Sequence, residues 1–542
     1  MNWLNFQKPQ RYLDSEWNVI KKKHRGKIKV AICFPDLYEV GMSNLGLRIL
    51  YAMFNEFNDI VCERVFFPGL DLGDYLEKRK KRLFSLESKL PLSSFDVIGF
   101  NLSYELNFTN FLYMLKLGGV PLRGEERKKI ILLGGGISNP EPLAEFVDVF
   151  FLGEFEEKIA KFVSILRKYK DKESRLRALA EIEGFYVPKF YHVEVKGRGY
   201  YFFKKYKYAH LPLKKIYVKD LNSVYYPVNW LTPHTEIVHD RVQIEIARGC
   251  PNRCYFCQAR CFYYPYREKK VEKILKIMEA VYKSSGYENF SLLALSASDY
   301  SHIEELIEEA EGLFNKEKVG ISLPSLRVED LVSRLYKKLL KVKKTSLTLA
   351  IEAGTPQLRE RINKRIDVDT FLEAKEILKS LNLRHIKLYF MFGLPGEGEQ
   401  DLISIGELVR KIAKELNMRL HVSINVFVPK PFSLFQDLAM EPEDVLYKKR
   451  ELLLKTLKRR NIKLSISNIK QRIIEAVLSR GDRRLSRVIY RAFLKGAKFD
   501  SYTEHFNWRL WEEAFREEEL DYRWYLSSFV NNFSWSHINW RG

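Results

Sequence analysis

Between residues 28 and 160 the chain alternates continuous apolar runs with segments of helical period. "KIKVAICF" is followed by "GMSNLGLRILYAMF", then by "FDVIGFNLS", "KIILLGGG" and "FVDVFFLG". Runs that are apolar at successive positions mark strands buried on both faces, and helix-period segments between them mark a parallel sheet covered on both sides. The pattern predicts a doubly wound, Rossmann-like domain over 28–165, preceded by an extension over 1–27. Residues 166–240 break it. They are rich in lysine and tyrosine, contain the hairpin-like "FYHVEVKGRGYYFFKKY", and read as a connector. A second βα series starts at "RVQIEIA" and continues through "FSLLALSA", "VGISLPS", "SLTLAIEAG", "HIKLYFMFGLP" and "HVSINVFVPK". Six strands with helices between them predict an open, partial (βα)6 barrel over 241–435, whose function belongs at the carboxyl ends of the strands. Residues 436–542 read as mostly helical. The fold class is α/β with a helical C-terminal region.

A chain of 542 residues that is 46% hydrophobic is enough for two or three domains with proper cores. The N-terminus lacks the charged-then-apolar layout of a secretory signal, and no apolar run approaches the roughly 18 residues that span a bilayer. With cysteines clustered rather than spread, a disulfide framework is disfavoured, and the expected location is a reducing cytoplasm. Lys and Glu are abundant while Gln, Met and Cys are scarce, a bias associated with thermophily that lineage-specific codon usage also produces. Net charge is +22, and between Lys448 and Lys498 there are 17 Lys+Arg against 3 Asp+Glu, a local excess of 14. The helical apolar spacing of that segment lets a basic face coexist with a buried stripe. With Tyr490, Phe493, Phe499 and Tyr502 nearby, Arg480, Arg483 and Arg484 are candidates for a phosphate-backbone footprint on RNA or another polyanion. The alternative is a solvated helical face. His505 and His537, among tryptophans and acids, read as packed histidines.

Four of the six cysteines fall in "IARGCPNRCYFCQARC", directly after the first strand of the second series. Cys250, Cys254 and Cys257 follow a Cys-x3-Cys-x2-Cys spacing, with Cys261 beyond. Thiolates gathered in one loop are soft ligands suited to zinc or an iron–sulfur cluster. Zinc sites use paired Cys-x2-Cys knuckles or add histidines, and no histidine lies nearby. Two arrangements stay open: a closed site of four, or three ligands with one metal position free.

"RGCPNRCYFCQ" resembles the signature of the radical S-adenosylmethionine superfamily. The resemblance implies that Cys250, Cys254 and Cys257 hold a 4Fe-4S cluster and leave one iron to the amino and carboxylate groups of S-adenosylmethionine, with Cys261 outside the ligand set. An electron entering the sulfonium must come from a metal in direct contact, so one iron must lack a protein ligand. The cofactor carries the radical chemistry, and the protein holds and orients it. Further residues are carried over to S-adenosylmethionine: Phe256 beside the third cysteine; Ser296 and Ser298 in "LSASDY", where the family usually has Gly-Gly-Glu; Glu352 in "AIEAGTPQLRERINK"; and Gly393, Pro395 and Gly396 in "FMFGLPGE". Glycine is required where backbone must approach a ligand closely.

The N-terminal domain resembles cobalamin-binding domains, which carry Asp-x-His-x-x-Gly, Ser-x-Leu and Gly-Gly after successive strands. The matching positions are Asp36, Tyr38 and Gly41 in "DLYEVG", Ser103 in "NLSYE", and Gly134, Gly135 and Gly136 in "LLGGGISNPEP". Tyr38 stands where the motif has histidine, and a phenol near pKa 10 is a poor donor at neutral pH. The resemblance therefore implies cobalamin whose lower face lacks a nitrogen ligand from the protein, Tyr38 packing beneath the corrin or displaced from it. A nucleotide-type or empty domain of the same fold is the alternative.

Together with "SRGDRRL" and "FSWSHI" near the end, the arrangement resembles an uncharacterised family of radical S-adenosylmethionine proteins with a cobalamin-binding-like N-terminal domain. The implied activity is reductive cleavage of S-adenosylmethionine to a 5′-deoxyadenosyl radical, hydrogen abstraction from an unactivated carbon and cobalamin-dependent methylation of it. An electron donor such as flavodoxin or ferredoxin is implied as partner. Radical rearrangement, ring formation and methylthiolation are alternatives, as is an RNA-binding protein with a structural cluster. Methylthiolation enzymes bring a further three-cysteine cluster, whereas the N-terminal half here has only Cys33 and Cys62.

Overall fold

The computed structural model describes residues 2–197, 199–314, 319–323, 346–373, 375–380, 385–458, 461–529 and 532–540. In the N-terminal half, strand Ile28–Phe34 lies between Ile60–Phe66 and Val97–Asn101, and the sheet continues through Ile130–Gly134 and Val149–Phe151. These five strands are parallel, and Phe185–Tyr186 closes the edge antiparallel. Their spatial order is second, first, third, fourth, fifth. Winding therefore reverses between the first and third strands, where the departing loops diverge and leave a crevice at the carboxyl ends. Helix Leu45–Glu56 starts on an Asn44 cap and covers one face beside that crevice. All of Ile60–Phe66 is buried although it carries Glu63 and Arg64. Arg64 is accommodated because Glu16 and Glu87 both bind its guanidinium, and a buried charge persists only when so paired.

In the second half, Val242–Glu245, Asn289–Leu293 and Gly320–Ser322 form one parallel sheet, and Ser346–Glu352, His385–Phe392 and Leu420–Val426 a second. Pro324 and Ser325, the end of the third predicted strand, lie outside the described residues. The strand His385–Phe392 buries every second residue, which sets one face into the core. A strand that the pattern reading did not expect, Ile462–Ile466, joins Leu420–Val426 in parallel. Its Ile-Lys-Leu-Ser-Ile alternation is a short period-two signal inside a lysine-rich segment of helical spacing. The parallel series thus runs past residue 435, and the C-terminal region is not purely helical. The predicted hairpin is present as Tyr191–Lys196 with Gly199–Lys204. Among the described residues no helix is long and apolar enough to cross a membrane.

The C-terminal helices Ile469–Arg480 and Leu485–Leu494 pack back onto the N-terminal domain, the latter against Phe108–Leu117. That packing withdraws Arg480 from the expected polyanion footprint and pairs Arg483 and Arg484 with acids. Arg480 is fully buried, donating to the carbonyls of Leu438 (2.7 Å) and Ser527 (2.8 Å) under the Phe529 ring. Arg483 binds Glu141 and the Tyr186 hydroxyl, and Arg484 binds Asp482 over Trp524. Arg480 and Arg483 hold layers together, while Arg484 stays exposed and paired with Asp482. Arg459 and Arg460, from the same basic segment, lie outside the described residues. Buried Lys430 has a related role, bridging Glu105 (2.9 Å) of the first domain and Glu475 (2.8 Å) of the C-terminal region.

Candidate cluster and cofactor site

The cysteine loop leaves the first strand of the second series through Ala247–Arg248, which pairs antiparallel with Arg267–Glu268. Gly249 then turns with φ +93°, and a Cβ there would lie 2.7 Å from the Pro265 carbonyl oxygen and 2.8 Å from that of Tyr263. Only glycine permits this turn into Cys250. The loop is fixed from three sides. The Tyr255 N–H donates to the Ile362 carbonyl (3.1 Å), the Leu434 N–H to the Tyr255 carbonyl (3.0 Å), and Asn363 Nδ2 to the Arg253 carbonyl (2.7 Å). Asn252 Nδ2 contacts Cys250 Sγ (3.5 Å) and Asp299 (2.8 Å). Gln258 reaches across to Ser138 of the N-terminal domain (2.6 Å), so that domain abuts the loop.

Cys254 and Cys257 are half-buried; Cys250 bears on both, and Cys254 on Cys257. Burial raises both thiols, Cys257 to about 11, with Lys364 partly opposing it at Cys254. Thiolates are the ligand form, so the loop as folded lacks the positive charge that bound metal would supply. Among the described residues no three His, Cys, Asp or Glu side chains converge as one ion requires. A cubane cluster instead distributes three thiolates over three irons, so this donor set fits a 4Fe-4S cluster better than a mononuclear site. Cys261 lies one turn on, in helix Gln258–Phe262. Its charge bears on Lys215, whose ammonium binds the Cys261, Phe262 and Tyr264 carbonyls at the end of that helix.

The residues carried over to S-adenosylmethionine surround this loop. Phe256 packs on a small cluster containing Ala353, Leu358 and Leu394, bringing the cysteine loop against the glycine turn. Gly393 and Gly396 have φ +77° and +73°, flanking Pro395. The Gly393 N–H donates to Glu397 Oε2 (2.7 Å), and the Gly396 carbonyl accepts from Arg361 (2.8 Å). Glu352 sits at a register slip with φ +73°, 3.7 Å from Lys364. Burial raises the Glu352 carboxyl while Lys364, which also faces Cys254, opposes the rise. Ser296 and Ser298 are buried beyond the carboxyl end of Asn289–Leu293.

A cavity of about 510 Å³ opens at the reversal point of the first sheet. Its deep part is an apolar slot along the sheet face under helix Leu45–Glu56, lined by Val30, Ile32, Ile49, Val97, Gly99 and Leu132. Its mouth is polar and runs past Asn44, Asn101 and Ser103 to Gln243, Arg248 and Gly249, the residue before Cys250. One cavity therefore joins the sheet to the cysteine loop. Ser103, Gly134, Gly135 and Gly136 line it. A Cβ on Gly135 would lie 2.5 Å from the Leu102 carbonyl oxygen, so glycine is needed for strand and loop to pass.

The first motif is placed elsewhere. Asp36 accepts from Tyr502 (2.7 Å) and Asn107 (3.4 Å), and a Cβ on Gly41 would meet the Phe66 ring at 2.5 Å. Tyr38 is buried, donates to Glu16 (2.7 Å) and stacks edge-on to Phe66. These three residues are internal packing, not wall of this cavity: the short helix Tyr38–Gly41 turns Tyr38 and Gly41 toward Phe66 of the second strand, and Asp36 faces Asn107 and Tyr502. Sequence reasoning passed over Gly99, Ser43, His239, Arg248, Glu154 and Glu156, all on the cavity. The first had a signal, a lone glycine inside an apolar strand. The charged ones form a set: Arg248 binds Glu154 (2.9 Å), Glu156 (3.0 Å) and Glu245 (2.9 Å), and Arg267 binds Glu154 (2.8 Å). Burial works against the Glu154 charge, but Arg267 and Arg248 outweigh it and hold the carboxyl below its usual range.

Residues 46–188 match the family described as radical SAM proteins, N-terminal, and residues 244–409 match the radical SAM superfamily. Uncharacterized protein MJ0966 of Methanocaldococcus jannaschii is 30% identical over 463 residues, covering 85% of this chain and 90% of that protein. Ribosomal protein uS12 methylthiotransferase RimO of Thermoanaerobacter sp. is 24% identical over 179 residues, covering 31% and 40%. The structure of the radical S-adenosylmethionine methyltransferase TsrM from Kitasatospora setae, with cobalamin and a 4Fe-4S cluster bound, superposes with a TM-score of 0.49 at 12% identity, covering 91% of this chain and 99% of that one. With the cysteine loop, the strand series and the two family matches together, the chain belongs to the radical SAM superfamily, enzymes that use a 4Fe-4S cluster and S-adenosylmethionine.

Proposed function

We propose that this enzyme is a cobalamin-dependent radical S-adenosylmethionine methyltransferase acting on an unactivated carbon. The observation that carries the reading is the continuous cavity from the reversal point of the first sheet to Gly249 beside Cys250. Open α/β sheets bind ligands at such reversal points. An apolar slot with a polar mouth fits a cofactor that has a flat nucleotide base on a tail and a large polar-rimmed ring. Val97, Gly99 and Leu132 would hold the base, and Asn101 and Ser103 would meet the polar part of the tail. Cys250, Cys254 and Cys257 would hold the cluster, while Glu352 and the Gly393–Gly396 backbone would orient S-adenosylmethionine. When bound, the cluster supplies an electron to S-adenosylmethionine, and the corrin supplies a methyl group. Arg248 and its three carboxylates wall the space between the two cofactor positions, keeping both charge signs paired away from the reacting carbon.

Methylthiolation has less support. Cys33 and Cys62, the remaining cysteines, are wholly buried in neighbouring strands and do not line the cavity. The domain limit at 240 is retained as proposed; Phe185–Tyr186 carries the first unit past 165, and Ile462–Ile466 carries the barrel sheet past 435.

The test is anaerobic reconstitution with iron, sulfide and hydroxocobalamin, followed by gel filtration. One corrin per chain is expected. A Cβ at Gly99 meets only the Ala31 carbonyl oxygen at 3.6 Å, so Gly99→Leu projects its remaining carbons into the slot. That variant should keep the cluster and lose the corrin. Equal corrin retention by both proteins would overturn the assignment. With S-adenosylmethionine and dithionite, formation of 5′-deoxyadenosine independently separates an enzyme from a protein with a structural cluster.

A further inference from the structure

We infer that His239, and not the motif position Tyr38, presents a nitrogen ligand to cobalt from the sheet side of the cavity; this rests on the cobalamin reading above. Tyr38 is unavailable: its hydroxyl is spent on Glu16, its ring lies against Phe66, and it does not line the cavity. His239 comes from a distant part of the sequence, the last residues of the connector before strand Val242–Glu245, and stands at the cavity mouth.

Its backbone is clamped onto the loop that follows the first strand. The His239 N–H donates to Ser43 Oγ (3.0 Å), Ser43 Oγ donates to the Glu39 carbonyl (2.7 Å), and the Val238 N–H approaches the same carbonyl (3.4 Å). Ser43 and Asn44 of that loop are themselves cavity wall, so the imidazole is carried on the N-terminal domain's side of the mouth. Among the described residues, the hydrogen bonds of His239 run through its backbone, which leaves the ring for a ligand. A neutral imidazole is the form that donates to a metal.

The other polar groups on this wall are poorer donors. Glu154, Glu156 and Glu245 are engaged by Arg248, and burial raises the Tyr263 phenol so that it stays protonated. A corrin already fills four positions of cobalt with nitrogen, and imidazole is a suitable fifth donor.

The experiment uses full-length protein reconstituted with its cluster and loaded with cobalamin, then reduced to the cobalt(II) state and read by electron paramagnetic resonance. One axial nitrogen splits each resolved cobalt line into three. Protein grown on 15N-histidine should convert that triplet to a doublet, which excludes the vitamin's own base as the donor. His239→Ala should retain corrin and cluster and lose the splitting. Retained corrin with no nitrogen splitting, a triplet indifferent to the label, or a splitting that survives in His239→Ala overturns the assignment. Wild-type protein retaining no corrin at all overturns the cobalamin reading itself, and this inference with it. The doublet in labelled wild type shows a histidine donor, and His239 is the one histidine that lines this cavity among the described residues, so a variant that fails to fold does not leave the question undecided.

Discussion

Gly249→Ala places a single methyl group where the structure has no room for it. The added Cβ would sit 2.7 Å from the Pro265 carbonyl oxygen, 2.8 Å from that of Tyr263 and 2.8 Å from Tyr266 Cα, all backbone atoms that cannot rotate away. Holding a residue other than glycine at φ +93° costs on the order of 1–3 kcal/mol. Overpacking adds about 1–3 kcal/mol more. The combined strain, on the order of 2–6 kcal/mol, lies below most of the roughly 5–15 kcal/mol range of domain stability. The chain should therefore fold and relieve the strain locally, by moving Cys250, the next residue. Iron and sulfide per chain and the visible cluster absorbance after anaerobic reconstitution measure the outcome, and both should fall sharply. Gly312→Ala is the matched control. It lies in helix Ile303–Leu313 with nothing within 4 Å of an added methyl, and alanine there should stabilise by about 0.5–1 kcal/mol. Wild-type iron content and melting temperature in Gly249→Ala would refute the reasoning.

Three further outcomes are expected. Cys250→Ala, Cys254→Ala and Cys257→Ala should each lose the intact cluster while Cys261→Ala keeps it; loss of the cluster absorbance in Cys261→Ala would sink the three-ligand assignment. Asp500 is buried with only Thr109 (2.7 Å) and Trp511 (3.3 Å) as side-chain partners, and burial pushes its carboxyl up to about 6. A carboxyl with a raised folded value binds more protons folded than unfolded between the two values, so its contribution is lost as pH climbs from about 4 through 6. Asp500→Asn should flatten that segment of a melting-temperature profile and stabilise the protein at pH 7.5 by up to about 3 kcal/mol; an unchanged profile would count against it. Lys430→Met strands Glu105 and leaves Glu475 to Arg472 and Tyr104, and removing one partner from such a buried set costs on the order of 3–5 kcal/mol, read as a lower denaturation midpoint. A midpoint equal to wild type would show that these carboxylates find other partners.

Much of the architecture was legible along the chain because its signals are local. Apolar runs alternating with helical periods report two-sided burial, and they located four of the five parallel strands of the first sheet and all six strands expected in the second series; Ile60–Phe66, interrupted by Glu63 and Arg64, was passed over. The Cys250–Cys257 spacing is equally local, since one loop after one strand must bring those thiols together. Glycines carried information where backbone passes backbone, as at Gly135 and Gly249. The strand Ile462–Ile466 was missed because five residues of period two are a weak signal among lysines.

Tertiary packing decided what a one-dimensional pattern cannot encode: which partner each polar group meets. Arg480, Arg483 and Arg484 look like a basic face until folding buries Arg480 against carbonyls, sets Arg483 on Glu141 and pairs Arg484 with Asp482. Tyr38 occupies a motif position by count, yet Glu16, from the N-terminal extension, captures its hydroxyl and Phe66 its ring. His239 gives no signal beside its own neighbours, since its significance depends on Ser43, nearly two hundred residues earlier. The cavity itself exists only because winding reverses between the first and third strands and the second half of the chain closes over the opening. Hydrophobic period determines which face of an element is covered; the approach of distant elements determines what covers it, and the chemistry of this site arises at that meeting.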